Sequence, residues 1–174
     1  QGPYSSLNLA DHVGDDLDAA QQNRTVIAAE FGLSPGNVAI MAAAHGNDVA
    51  VVDHGGTVPE VDGLVPTPPG LGLLALAADC ATVALVDQTR GIIGAVHSGW
   101  RGVAANAVGA TVETMIARGA DVNTIVAAIG PVICPGCYEV SQEVRAEVTR
   151  TTPAAAAQTR WGTPSVDLHA GIRS

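Results

Sequence analysis

Three side chains far apart in the chain, His45, Cys80 and His97, each stand where a short apolar run meets a glycine or an acidic residue. Two imidazoles and one thiolate fill three corners of a tetrahedral ion and leave the fourth open for water or substrate, the donor set of a catalytic zinc. Their settings are Ala44-His45-Gly46-Asn47-Asp48, Ala78-Asp79-Cys80 and Val96-His97-Ser98-Gly99-Trp100-Arg101-Gly102. No pair has the spacing of two ligands on one helix face, so the fold must bring three elements together. The small and β-branched residues beside each motif predict strand ends facing one cleft.

The charged residues narrow the chemistry. All eight basic residues are arginines, and without lysine there is no Schiff base, no pyridoxal phosphate anchor and no Walker-type P-loop. Any anion must be held by arginine, backbone amides or metal, and the planar guanidinium suits a phosphate through paired hydrogen bonds. A net charge of −9 argues against nucleic acid as a partner. No segment approaches the roughly 20 apolar residues of a membrane span, and none reads as a signal peptide, so no membrane partner and a cytoplasmic location are expected. Apart from Cys80, only Cys134 and Cys137 remain, too few for a secreted disulfide scaffold. Their Cys-x-x-Cys spacing is that of a redox or zinc pair, but one pair cannot close a four-ligand site, and the segment reads as a turn.

The elements that must position these residues follow from patterning. A helix is expected from Leu17 to Phe31, stopped by Gly32, with a turn at Ser34-Pro35-Gly36-Asn37 and a strand from Val38 to Met41 leading to His45. Asp48 to Val52 reads as a short strand, and His54-Gly55-Gly56 and Pro59 to Pro69 as a loop-rich section around Asp62-Gly63-Leu64-Val65. Leu71 to Ala77, Thr82 to Asp87 and Ile92 to Val96 are expected to be central strands. One helix from Gly102 to Ala117, ending at Arg118-Gly119, should pack on the sheet that carries His97. A strand from Ile125 to Ile129, a helix from Glu139 to Arg150 and an incomplete strand at Ser165-Val166-Asp167-Leu168 complete the pattern. Residues 1–174 are expected to form one domain, incomplete at both ends because the chain starts without methionine and stops within a structural unit.

These motifs together resemble the YfiH-type family, also called laccase-domain or multicopper polyphenol oxidase proteins and later assigned as purine nucleoside phosphorylases. The likeness runs from Pro3-Tyr4, Ser6-Leu7-Asn8-Leu9 and His12-Val13-Gly14-Asp15-Asp16 through Asn23-Arg24, the three metal motifs and Ile129-Gly130-Pro131 to Cys137-Tyr138-Glu139-Val140 and Asp167-Leu168. The resemblance implies zinc on His45, Cys80 and His97. It also implies an α/β fold, a layered α/β sandwich of mixed sheets flanked by helices, shared with a toxin deamidase of the Cys-His type. The implied reactions are phosphorolysis of adenosine, inosine, guanosine and methylthioadenosine, with adenosine deamination alongside. Ala43 stands where the family usually has glutamine, and Ser98 where alanine is common.

Within this reading the small-molecule partners are a purine nucleoside and phosphate. Zinc lowers the pKa of bound water to about 7, which suits attack on the amino-bearing carbon of adenine. Arg101 is the leading candidate to hold phosphate and Arg24 the second. Asp79 would support a ligand or take a proton, Asp62 would bind ribose hydroxyls, and Ser98 joins the substrate wall. Arg101 pairing with a carboxylate such as Asp79, and Trp100 as packing rather than a base platform, are the plainer alternatives. Two other functions stay open: a Cys-His hydrolase or amidase with Cys80 as nucleophile, acting on a peptidoglycan precursor, and polyphenol oxidation. Five histidines without a His-x-His pair fall short of a laccase's copper sites.

Overall fold

The computed structural model describes Tyr4 and residues 6–174; Gln1, Gly2, Pro3 and Ser5, part of the opening motif, lie outside the described residues. Helix α1 (Leu17–Glu30) begins where the Asp16 carboxylate accepts hydrogen bonds from the Asp18 and Ala19 amides, and ends just before Gly32 takes a left-handed φ of 68°. There follow β1 (Val38–Ala42), β2 (Val49–Val52), β3 (Gly56–Pro59), β4 (Gly63–Pro66), β5 (Gly72–Leu74), β6 (Ala81–Asp87) and β7 (Ile92–Ser98). Then come α2 (Trp100–Ala104), α3 (Ala107–Ala117), β8 (Ile125–Ile129), α4 (Gln142–Thr151), β9 (Ala156–Gln158), β10 (Pro164–Val166) and α5 (Leu168–Ile172). No helix among the described residues is long and apolar enough to cross a membrane.

A five-stranded mixed sheet runs in the order β2-β4-β7-β6-β8, with only β2 and β4 parallel. A parallel three-stranded sheet, β3-β1-β5, packs against it, and β9 and β10 form a separate hairpin. Strand alternation explains the layering. Leu64 and Val65 are adjacent in β4 and both fully buried, yet they serve opposite faces. Leu64 joins Ala39, Met41, Val52 and Leu71 between the sheets, while Val65 joins Val83, Leu85, Val96 and Met115 under α3. Each valine, leucine or methionine among them contributes about 1.5–3 kcal/mol by leaving water. The result is the expected layered α/β sandwich.

Departures from the sequence expectation have local causes. The stretch from His54 to Pro69 carries β3 and β4, and β4 is a central strand of the larger sheet. Its brevity and flanking prolines mask a segment whose Gly63 is pressed beneath α3, where a Cβ would sit 2.4 Å from Thr111 Oγ1. The run from Leu71 to Ala77 supplies only β5, at the edge of the small sheet. The helix expected from Gly102 to Ala117 is broken into α2 and α3 by Asn106, which adopts φ 59° and ψ 50° and caps the Gly109 amide. Apolar spacing continues across that break and conceals it. α4 starts at Gln142 because Ser141 caps it, and Glu139 bridges to Ser165 instead.

The β6–β7 turn closes on a buried carboxylate. Burial pushes the Asp87 carboxyl up, but hydrogen bonds from Thr89, Asp121, Thr124 and Arg90 outweigh it and hold the group well below the usual carboxylate range. A depressed folded-state pKa contributes stability that is present above the unfolded value of about 3.9 and lost as pH falls below it. Chemical denaturation of Asp87→Asn should therefore show a stability deficit at neutral pH that narrows below about pH 4; a deficit independent of pH would contradict this.

Candidate metal centre

The three ligand candidates reach one point from both sheets. His45 follows β1, Cys80 immediately precedes β6, and His97 lies in β7, whose antiparallel register sets Ala81 opposite Ser98 and Thr82 opposite His97. One nitrogen from each imidazole and the Cys80 sulfur lie within 4.8 Å of one another, the one such group among the described residues. The two rings meet edge to face, with centroids 4.9 Å apart and planes at 83°. His45 is exposed, Cys80 half-buried and His97 buried, so the group opens to solvent on the His45 side.

Asp62 organises two of the three. It is fully buried, and its carboxylate accepts from the His45 amide at 3.0 Å, the Gly46 amide at 2.6 Å and the His97 ring Nδ1 at 2.9 Å. The amide bonds hold His45 at φ 63°, a left-handed conformation that a residue with a Cβ seldom takes. With Nδ1 protonated toward Asp62, an assignment made from the hydrogen-bond network, His97 presents its Nε2 lone pair to the group. The backbone adds a further tie, because the His97 amide donates to the Asp62 carbonyl at 2.9 Å.

The donor set fits a metal ion. In a tetrahedral site with bonds of about 2.0–2.3 Å, ligand atoms stand roughly 3.3–3.8 Å apart, a modest contraction from what is observed. Gly99 keeps the space open, since a Cβ there would lie 2.8 Å from the Cys80 sulfur and 3.7 Å from the His45 ring. Burial, then the negative charges of Asp79 and Asp62, pushes the Cys80 thiol up. A cation between the imidazoles would reverse that bias and favour the thiolate.

Other residues singled out from sequence fall in different places. Asp79 is exposed beside Cys80, and its carbonyl accepts from the Ile133 amide. Arg101 is exposed, lies over the Trp100 ring at 4.4 Å and makes no salt bridge among the described residues. Asp62 was expected to bind ribose; its burial and three internal donors put it behind the ligands instead. Ser98, expected on the substrate wall, follows His97 in the strand and so faces the opposite side, where it lines a cavity of about 570 Å³ with Asn106 and Thr151. Arg24 is engaged by Asp11 at 3.1 Å and by the Leu9 carbonyl. It borders a second cavity, of about 360 Å³ between α1 and the small sheet, whose walls include none of the three ligands. His12, His54 and His169 are exposed.

Tyr138 was missed. Its ring packs in the same apolar cluster as Trp100 and Ile133, and burial, with the charges of Cys80 and Asp79, pushes its phenol up against the opposing charge of Arg101. Nothing in the local sequence says that a tyrosine after a turn packs beside Trp100, next to the His97 motif.

Sheets in layers with a His-Cys-His group at their junction define an α/β protein able to hold one metal ion. The chain belongs to the family described as multi-copper polyphenol oxidoreductase laccase, whose model matches residues 1–174. It is 44% identical to purine nucleoside phosphorylase ORF3 of Streptomyces griseus, over 99% of this chain and 72% of that protein. It is 36% identical to adenosine deaminase RL5 from an unknown prokaryotic organism, over 81% of this chain and 58% of that protein. The crystal structure of YlmD from Geobacillus stearothermophilus superposes with a TM-score of 0.91 at 31% identity, covering 99% of this chain and 70% of that one.

Two substitutions test the geometry. Asp62→Asn should weaken metal binding about 10–100-fold, measured with zinc by competition with a chromophoric chelator, because it removes the negative charge behind His97 and leaves one accepting oxygen where two now serve His45, Gly46 and His97. Gly99→Ala should displace the Cys80 sulfur, read in the cobalt-substituted protein as loss of the sulfur-to-metal charge-transfer band.

Proposed function

We propose that this protein is a zinc-dependent purine nucleoside phosphorylase acting on adenosine, inosine, guanosine and methylthioadenosine, with adenosine deamination as a companion activity. The observation that carries the proposal is the convergence of His45, Cys80 and His97 on one point, backed by buried Asp62. The names of its relatives, phosphorylase and deaminase, supply the reaction classes. His45, Cys80 and His97 would hold the ion, which when bound supplies Lewis acidity and a depressed pKa for water.

The remaining residues handle substrate. Arg101 is assigned to phosphate, because an exposed guanidinium without a carboxylate partner beside the cleft can clamp a phosphate through two hydrogen bonds. Asp79, exposed beside Cys80, is assigned the proton released by the attacking water in deamination. Tyr138, which packs in one cluster with Trp100 and keeps its phenol proton at neutral pH, is assigned as a hydrogen-bond donor to substrate.

One arrangement favours a second reading. Cys80, His97 and Asp62 stand in the order of a thiol-imidazole-carboxylate hydrolase. The upward-shifted Cys80 thiol and the presence of His45 in the same group weigh against a free thiolate. Polyphenol oxidation is disfavoured because two histidines and a cysteine would serve one copper, while His12, His54 and His169 are scattered on exposed positions.

Incubating the zinc-loaded protein with adenosine, with and without phosphate, should yield adenine only when phosphate is present and inosine in either case. Formation of no purine product by protein with zinc bound would overturn the proposal. Arg101→Ala should raise the KM for phosphate about 10–100-fold, the worth of a charge-assisted hydrogen bond, and leave deamination nearly unchanged.

A further inference from the structure

The Cys134-Pro135-Gly136-Cys137 turn plays no part in the proposed reaction, yet it is built as a reactive thiol pair. The Cys137 amide donates to the Cys134 carbonyl at 3.0 Å, closing a three-residue helical turn over Pro135 and Gly136. Such a turn brings its end residues to a Cα separation below about 7 Å. Disulfides span about 4.4–6.8 Å between Cα atoms, a range that a closed turn of this kind reaches. Both thiols are free, with Cys134 exposed and Cys137 half-buried.

A second element supplies the activating charge. Arg160, on the turn between β9 and β10, donates from its guanidinium to the Cys137 sulfur, and its amide donates to the Gly136 carbonyl at 3.0 Å. Ser165 Oγ donates to the Pro135 carbonyl at 2.6 Å, and Trp161 Nε1 donates to the Glu139 carboxylate at 2.6 Å. The hairpin therefore clamps the turn and fixes the guanidinium on one sulfur rather than both. The Cys134 thiol and Arg160, in that order, hold the Cys137 thiol below its usual range. Exposure, a guanidinium partner and a resolving thiol on the same turn are the surroundings of reactive cysteines.

The geometry points to a reversible dithiol–disulfide site at Cys134 and Cys137, with Cys137 as the attacking thiolate and a low-molecular-weight disulfide as its oxidant. The Cys137 thiolate attacks one sulfur of the small disulfide, forming a mixed disulfide and releasing one small thiolate. Cys134 then loses its proton to solvent and attacks the Cys137 sulfur, forming the internal bond and releasing the second small thiolate. Two protein thiols are oxidised and one small disulfide is reduced to two thiols. The turn is tied to the candidate metal site through the adjoining Ile133, whose amide donates to the Asp79 carbonyl at 3.0 Å.

The test equilibrates zinc-loaded protein in glutathione–glutathione disulfide buffers from reducing to oxidising, then quenches with iodoacetamide and digests with trypsin. Cleavage after Arg118 and Arg145 places both thiols in residues 119–145, separate from Cys80. The expected result is conversion of that peptide from two labels to none with loss of two hydrogens, reversed by dithiothreitol. In the reduced protein Cys137 should label faster than Cys134 at neutral pH. Arg160→Gln, at an exposed position, should slow Cys137 labelling about threefold for each unit its pKa recovers, because gained nucleophilicity offsets part of the lost thiolate. Two labels retained at the most oxidising poise, a bridge only between molecules, or Cys137 labelling no faster than Cys134 would overturn the proposal. None of these outcomes depends on nucleoside turnover, so the thiol pair and the phosphorylase reading fail separately.

Discussion

A carboxylate with no exposure to water has to be satisfied where it sits, and Asp62 is satisfied only if two strand ends meet around it. Its oxygens take hydrogen bonds from the His45 and Gly46 amides beyond β1 and from the His97 ring on β7. An unpaired buried charge costs several kcal/mol, so the three donors are an obligation of the fold. Meeting it sets two metal-ligand candidates in place at once. The left-handed His45 and the ring orientation of His97 are consequences of that single interaction.

The rest of the architecture can be read as support for this junction. The antiparallel pairing of β6 with β7 carries Cys80 to the same end as His97, and Gly99 leaves room for its sulfur. Opposite, β4 is buried on both faces, and a register shift in it would push a side chain into the space Gly63 leaves under Thr111 and draw Asp62 away from its donors. α3 presses on that strand at Gly63. The rigidity needed to hold three donors at a common point thus comes from apolar packing in two layers, not from the polar groups alone.

What was legible in the sequence followed the length and purity of each signal. β6, β7 and β8 are apolar runs bounded by polar turns, and they stand close to where the pattern set them. The convergence of His45, Cys80 and His97 was legible because histidine and cysteine beside glycine or aspartate, at the edge of an apolar run, suit few structural roles. β4 was not, because four residues ending in Pro66, with Pro59 before and Pro68 after, look like a loop until a sheet closes around them. The break at Asn106 was hidden because the same apolar stripe continues on both sides. Asp62 was seen but misplaced: a sequence shows a carboxylate, not whether it faces a cleft or a core. An aspartate opening the wholly apolar Gly63-Leu64-Val65 was the available hint, since burial there would demand donors. Ser98 follows His97 in the strand, and alternation turns it toward the cavity it shares with Asn106 and Thr151.

X-ray absorption at the zinc edge of the zinc-loaded protein tests the central claim most directly. The account predicts one sulfur at about 2.3 Å and two imidazole nitrogens at about 2.0–2.1 Å, with any further ligand a light atom. A shell of light atoms without sulfur, or one with two or more sulfurs, would contradict it.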